Sequence, residues 1–200
     1  MRKVIGGRVV KFDNENHIYK VDGVIVPNGT TILNETIFKG KYKNVPRHIL
    51  ENASRFGRQI HNAIERKDDT FLSDLQKLKY NEFWQLVKDN DIEIVEQELI
   101  VYYVCEETGK VLFIGTLDLI ILFNGLEDLS DIKTTYNLDI QNLSWQLGFY
   151  KIAYEQLFNK QLNNGSAFWL PKRKSGGLYD IEMKTKDEVL ELVKEYGEVI

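Results

Sequence analysis

Two hundred residues, 43% of them hydrophobic and 12% aromatic, are enough to bury a substantial core, and nothing in the length demands more than one domain. A formal net charge of −4 argues against a protein that coats nucleic acid over its whole surface, so any such contact is local. The lone cysteine, Cys105, excludes an internal disulfide, a four-cysteine zinc site and a cysteine-held iron–sulfur cluster, and its place at the end of an apolar run predicts a buried, inert thiol.

In chain order, Lys3 to Val26 reads as short strands: Val9–Phe12, a polar turn at Asp13–Asn16, then Ile18–Val21 and Val24–Val26 about an Asp22-Gly23 hairpin signal. Pro27-Asn28-Gly29-Thr30 ends this unit, and a short helical or irregular piece runs through Ile32 and Leu33. Pro46 opens a long helix whose apolar residues Ile49, Ala53, Phe56, Ile60 and Ile64 keep helical spacing. Gly57, His61 and Glu65 form a stripe beside that face, and the missing side chain at Gly57 leaves room to approach the imidazole. A second helix, Leu72 to Lys88, carries Leu75, Leu78, Phe83, Leu86 and Val87.

A meander follows: Ile92–Val104, a turn at Glu106–Lys110, Val111–Phe123, a turn at Asn124-Gly125, and Leu129–Lys133. Alternation places Leu112, Ile114, Thr116, Asp118, Ile120 and Leu122 on one face, so Asp118 stands in an apolar row, where an unpaired carboxylate is costly. Asp131 and Lys133 share one face of the next strand. A helix from Leu138 to Phe158 turns Leu143, Leu147, Ala153 or Tyr154, and Leu157 inward, with Gln146 and Tyr150 one turn apart. Strands at Ser166–Leu170 and Leu178–Met183 flank a basic turn, and Thr185-x-x-Glu188 caps a terminal helix through Tyr196.

Two acids and an amine on neighbouring strands are suited to a hard divalent cation and a phosphate: carboxylate oxygens hold Mg²⁺ or Mn²⁺, and an ammonium offsets developing charge. Basic groups that could meet phosphates are Lys39, Lys41, Lys43 and Arg47, then Arg55 and Arg58, then Lys172-Arg173-Lys174.

Gly57-x-x-x-His61, Glu98-Leu99-Ile100-Val101, Gly115-Thr116-Leu117-Asp118, Asp131-Ile132-Lys133-Thr134-Thr135 and Gln146-x-x-x-Tyr150, in that order, resemble the PD-(D/E)XK nuclease superfamily, within it the RecB-like and phage-type exonucleases. His17-Ile18-Tyr19 and Val26–Leu33 also look like the opening of phage members. The resemblance implies an α/β fold with a restriction-endonuclease-like core, a central mixed β-sheet flanked by α-helices, and an N-terminal β-hairpin. That is a single domain over 1–200, with 1–45 the hairpin extension and 46–200 the catalytic core.

The resemblance further implies Asp118 and Asp131 as metal acids aided by the Ile132 carbonyl, His61 as a further ligand, Glu98 or Glu96 as a helper acid, and Lys133 as the catalytic lysine. Gln146 and Tyr150 would steady the substrate, and Arg58, Lys172 and Arg173 would contact phosphates. The implied activity is a Mg²⁺- or Mn²⁺-dependent DNA exonuclease resecting ends for recombination or repair, on duplex DNA with free ends. An endonuclease, or a non-catalytic nucleic-acid-binding module, is the alternative. No Gly-x-x-x-x-Gly-Lys-Ser/Thr motif is present, so unwinding calls for a helicase partner; a single-strand-annealing protein is the other partner implied. No apolar run is long enough to span a bilayer and Met1–Gly7 lacks a signal-like stretch, which predicts a cytoplasmic protein without a membrane partner. The apolar pair Val199-Ile200 points to a packed terminus or a homo-oligomer interface.

Overall fold

Turn chemistry organises the first part of the chain. The computed structural model describes residues 2–13 and 18–199; most of the polar turn expected at 13–16, His17 and Ile200 lie outside these. Strands β1 (Arg2–Ile5), β2 (Arg8–Asp13), β3 (Ile18–Val21) and β4 (Val24–Val26) form an antiparallel sheet in sequential order, the three strands expected with β1 added at the edge. Asp22 and Gly23, at φ 51° and 89°, adopt the left-handed pair that a two-residue hairpin turn requires. Asn28 then caps α1 (Gly29–Glu35), its side-chain oxygen accepting from the Thr31 N–H at 2.7 Å.

Helices α2 (Arg47–Arg66) and α3 (Asp74–Asp89) come next, followed by β5 (Glu93–Val104), β6 (Val111–Phe123) and β7 (Leu126–Lys133). Helix α4 (Ile140–Phe158) crosses to β8 (Gly165–Trp169), then β9 (Gly177–Ile181) and α5 (Lys186–Val199). The second sheet has the order β5-β6-β7-β8-β9, antiparallel except where β8 lies parallel to β7 after the α4 crossover. The fold is therefore α/β, a mixed sheet flanked by helices with a smaller antiparallel sheet at its N-terminal side.

One face of the large sheet is covered by α4, α1 and α5, through Leu143, Leu147, Phe149, Ile32, Leu33 and Val189. The other is shared: α2 and α3 cover one end through Ile60, Ile64 and Phe83, and the N-terminal sheet covers the other through Tyr19, Val21 and Val26 against Ile100, Tyr102 and Ile114. The N-terminal segment is thus joined to the rest through a shared core, and the Ile114 N–H donates to the Pro27 carbonyl at 3.1 Å.

Several expectations are corrected. In α2 only the C-terminal half of the apolar stripe is covered: Ile60 and Ile64 are buried, whereas Ile49 is 49% exposed and Ala53 is exposed. In α3, Leu75 and Leu78 face outward and the covered face is Gln76, Lys79, Phe83 and Val87. The Lys79 ammonium reaches Glu82 at 2.8 Å and the Lys174 carbonyl at 2.6 Å, which offsets the cost of burying it. Strand β7 starts at Leu126, earlier than its polar beginning suggested, because Asp128 accepts from the Asn164 N–H and Asn163 side chain, and Glu127 from Tyr154 and Lys160. Cys105 is half-buried in a turn, and hydrogen bonds from Thr108 hold its thiol below the usual range.

Candidate active site

The expected apolar row along β6 does not survive at Asp118. Leu117 and Ile120 pack in the α4-side core while Leu119 and Ile121 pack under α2 and α3, so the alternation slips between them. Leu99 pairs with Leu117 and Gln97 with Leu119, but Glu98 and Asp118 between them are not ladder partners. Glu98 has φ 49°, a left-handed conformation that costs a non-glycine residue about 1–2 kcal/mol. The β6–β7 ladder also ends here, at Leu119 opposite Ser130, and the Asp118 carboxylate accepts the Ile132 N–H at 2.8 Å in place of a ladder bond. The sheet forks at this point, and groups from both faces reach the fork.

From one side comes His61 of α2. Its Nδ1 lies 3.6 Å from Asp118 Oδ2 and 3.8 Å from Glu98 Oε1, and its Nε2–H donates to the Ile132 carbonyl at 2.9 Å. Burial opposes a charge on the ring, but Asp118, Glu98 and Asp131 outweigh it and raise the imidazole to about 9. From the other side come Asp131, Lys133 and α4. Lys133 Nζ is 2.7 Å from Asp131 Oδ2 and 3.1 Å from Gln146 Oε1, while Gln146 Nε2 donates to Asp131 Oδ1 at 3.0 Å and lies 3.4 Å from the Tyr150 hydroxyl. Burial pushes Asp131 up to about 6 against the pull of Lys133. Burial works against the Lys133 charge, yet Asp131 and Asp118 prevail and raise its pKa. Burial, then the two acids, raises the Tyr150 phenol, which stays neutral.

All seven polar residues singled out along the core motifs thus meet at the fork, with three changes of detail. Glu98, and not Glu96, joins His61: the left-handed Glu98 turns the two apart, and Glu96 instead influences Tyr154 on the α4 side. The Ile132 carbonyl is taken by the imidazole, so two expected ligands touch each other. The gap at Gly57 is filled by Thr134, whose Oγ1 lies 2.8 Å from where a Cβ would stand, so the glycine admits the end of β7.

The phosphate candidates divide. Arg58 is exposed one turn before His61 and donates to Ser54; Lys172 stacks over Phe56 of α2 at 4.1 Å; Arg173 is exposed beside it. Lys41 is instead ion-paired to Asp139, which neutralises it as a phosphate contact. Nothing in the sequence marks Tyr19, Asn28 or Asn34 as site residues, yet the Tyr19 hydroxyl lies 2.8 Å from Thr116 Oγ1, and with Tyr150 the three line an uncharged cavity of about 240 Å³. Tyr19 sits in a segment already noted, but only the tertiary packing brings it to Thr116.

The donors fit a hard cation. One atom each of His61, Glu98 and Asp118 lies within 4.8 Å of the others, and the set is two carboxylates and an imidazole, as Mg²⁺ and especially Mn²⁺ accept. The buried Asp131 carboxylate is taken up by Lys133 at 2.7 Å and Gln146 at 3.0 Å, so it reaches a cation only by giving up one of them.

No family model matches the chain, and no curated protein matches it. Among solved structures it is similar to the crystal structure of SSO0001, at 16% sequence identity and a TM-score of 0.47, over 87% of this chain and 75% of that one.

Proposed function

We propose that the chain is a Mg²⁺- or Mn²⁺-dependent nuclease of the PD-(D/E)XK type, acting as an exonuclease on DNA ends in the cytoplasm. The observation that carries this reading is the fork itself: a carboxylate–imidazole trio within 4.8 Å beside a buried Asp131 paired with a half-buried Lys133 and steadied by Gln146. A surface ion pair needs no such support, whereas a buried acid ringed by half-buried acids, a histidine and a lysine is costly to assemble and is the arrangement that marks functional sites.

Glu98, Asp118 and His61 would hold the cation, with Asp131 able to join them if Lys133 yields its oxygen. A divalent cation supplies Lewis-acid activation of water and of the phosphate at such a site. Lys133, charged and pointed into the fork, binds a non-bridging oxygen and offsets the charge that grows on the phosphorus centre. Gln146 keeps Lys133 and Asp131 in register with each other, and Tyr150 remains a neutral hydrogen-bond donor toward the backbone of the strand. Arg58, Lys172 and Arg173 meet phosphates further out, so binding weakens as salt rises.

End-labelled linear DNA and covalently closed circles, incubated with Mg²⁺ or Mn²⁺, test this. Loss of linear DNA alone, abolished in Asp131→Ala and Lys133→Ala, is expected. Cutting of circles would make it an endonuclease, and no metal-dependent cleavage would overturn the enzymatic reading.

A further inference from the structure

Next to Lys133 the sheet carries aromatic side chains that the reaction above does not use. In the parallel β7–β8 pair Lys133 is opposite Trp169, so the two project to the same face on strands roughly 4.8 Å apart. Tyr179 of β9 occupies the adjoining row, Asp131–Ala167–Tyr179, and its ring leans over Gly177, where a Cβ would stand 3.0 Å from it. Trp169 and Tyr179 meet edge to face at 5.9 Å. Tyr136, three residues beyond Lys133, is 68% exposed, and Tyr179 is 41% exposed.

The platform is held in place. Trp169 Nε1–H donates to the Thr135 carbonyl at 2.9 Å, and Lys174 Nζ stands 5.2 Å from the Tyr136 ring and 5.7 Å from that of Trp169. The turn bearing Lys174 is anchored by the buried Lys79, which donates to the Lys174 carbonyl, and by Glu82, which accepts the Gly176 N–H at 2.6 Å. Among the described residues none of Lys172, Arg173 and Lys174 is in an ion pair, so their charge is free to meet an anion.

We infer that Tyr136, Trp169 and Tyr179, with Lys172–Lys174, form a stacking platform for unpaired bases flanking the phosphate at Lys133, which makes single-stranded or frayed DNA the substrate class. Aromatic faces interleaved with cations hold single strands because every base has a π-face, whereas a paired duplex keeps its faces stacked inside. The inference rests on the nuclease reading for the place of the scissile phosphate.

Fluorescence anisotropy in EDTA, with a labelled oligothymidylate and a hairpin duplex closed at both ends, tests it apart from cleavage. Tyr136→Ala, on an exposed loop, and Trp169→Ala are each expected to weaken oligothymidylate binding roughly ten-fold. Trp169→Phe should restore it, and duplex binding should not change. Undiminished oligothymidylate binding in Tyr136→Ala, equal weakening of both ligands, or no oligothymidylate binding by the unaltered protein would overturn the platform. Metal-dependent cleavage with undiminished Tyr136→Ala binding sinks the platform alone; selective binding without cleavage sinks the nuclease reading and leaves the platform standing.

Discussion

In the proposed reaction Lys133 does two things at once: it balances Asp131 and it meets the phosphate. Its ammonium neutralises the buried Asp131 and is braced by Gln146, so it is oriented before any ligand arrives. Lys133→Met should lower single-turnover cleavage by roughly 10²–10³-fold, the usual loss for one aimed donor, while Mn²⁺ affinity is kept or raised because Asp131 is released. Gly57→Ala drives a Cβ into Thr134, and overpacking of this kind costs about 1–3 kcal/mol, to be read by denaturant unfolding. Away from the site, Lys184, and then Thr185, hold the Glu188 carboxyl at about 2, below its ordinary 4.5. The folded carboxyl loses its proton more readily than the unfolded one, so its contribution is complete above pH 4.5 and disappears as pH falls through about 2. Thermal unfolding of Glu188→Gln should therefore match the unaltered protein in acid and fall below it near neutrality; an unchanged gap across that range would refute the sign.

Elements were legible where their geometry is local. Asp22-Gly23 and Asn124-Gly125 each place two residues at positive φ, which only a few residue types tolerate, and Thr185 and Glu188 cap α5 reciprocally. Helix α4 kept its inward stripe, because Leu143, Leu147 and Ala153 meet a continuous core. Spacing could not tell that the first turns of α2 run beyond the body they pack on, since a stripe reports a face and not what covers it. Ile60→Ala should cost about 2–5 kcal/mol, whereas Ile49→Ser should stay within about 0.5 kcal/mol. Equal losses at both positions would show that the N-terminal half of α2 is covered after all.

At the scale of the molecule, the site is a defect in the large sheet that three layers share. Helix α2 delivers His61 from one side, α4 delivers Gln146 and Tyr150 from the other, and the N-terminal sheet closes the rim with Tyr19 on Thr116. The residue set at the fork was legible from motif order, which depends on chemistry. The slip of β6 at Asp118 and the left-handed Glu98 were not, because alternation assumes an unbroken ladder and neither Asp nor Glu marks a bulge. Among the described residues no helix is long and apolar enough to cross a membrane. On the proposed reading, a chain of net charge −4 meets DNA through the local cations at α2 and the 172–174 turn. Removing Arg58 or Lys172 should accordingly reduce the slope of log affinity against log salt by about one each.

Calorimetric titration of Mn²⁺ into the protein near neutral pH, beside Asp118→Ala with its fold checked by circular dichroism, tests the fork most directly. Saturable binding that is lost in the folded variant is the result this account predicts. No saturable binding, or the same affinity without Asp118, would contradict it.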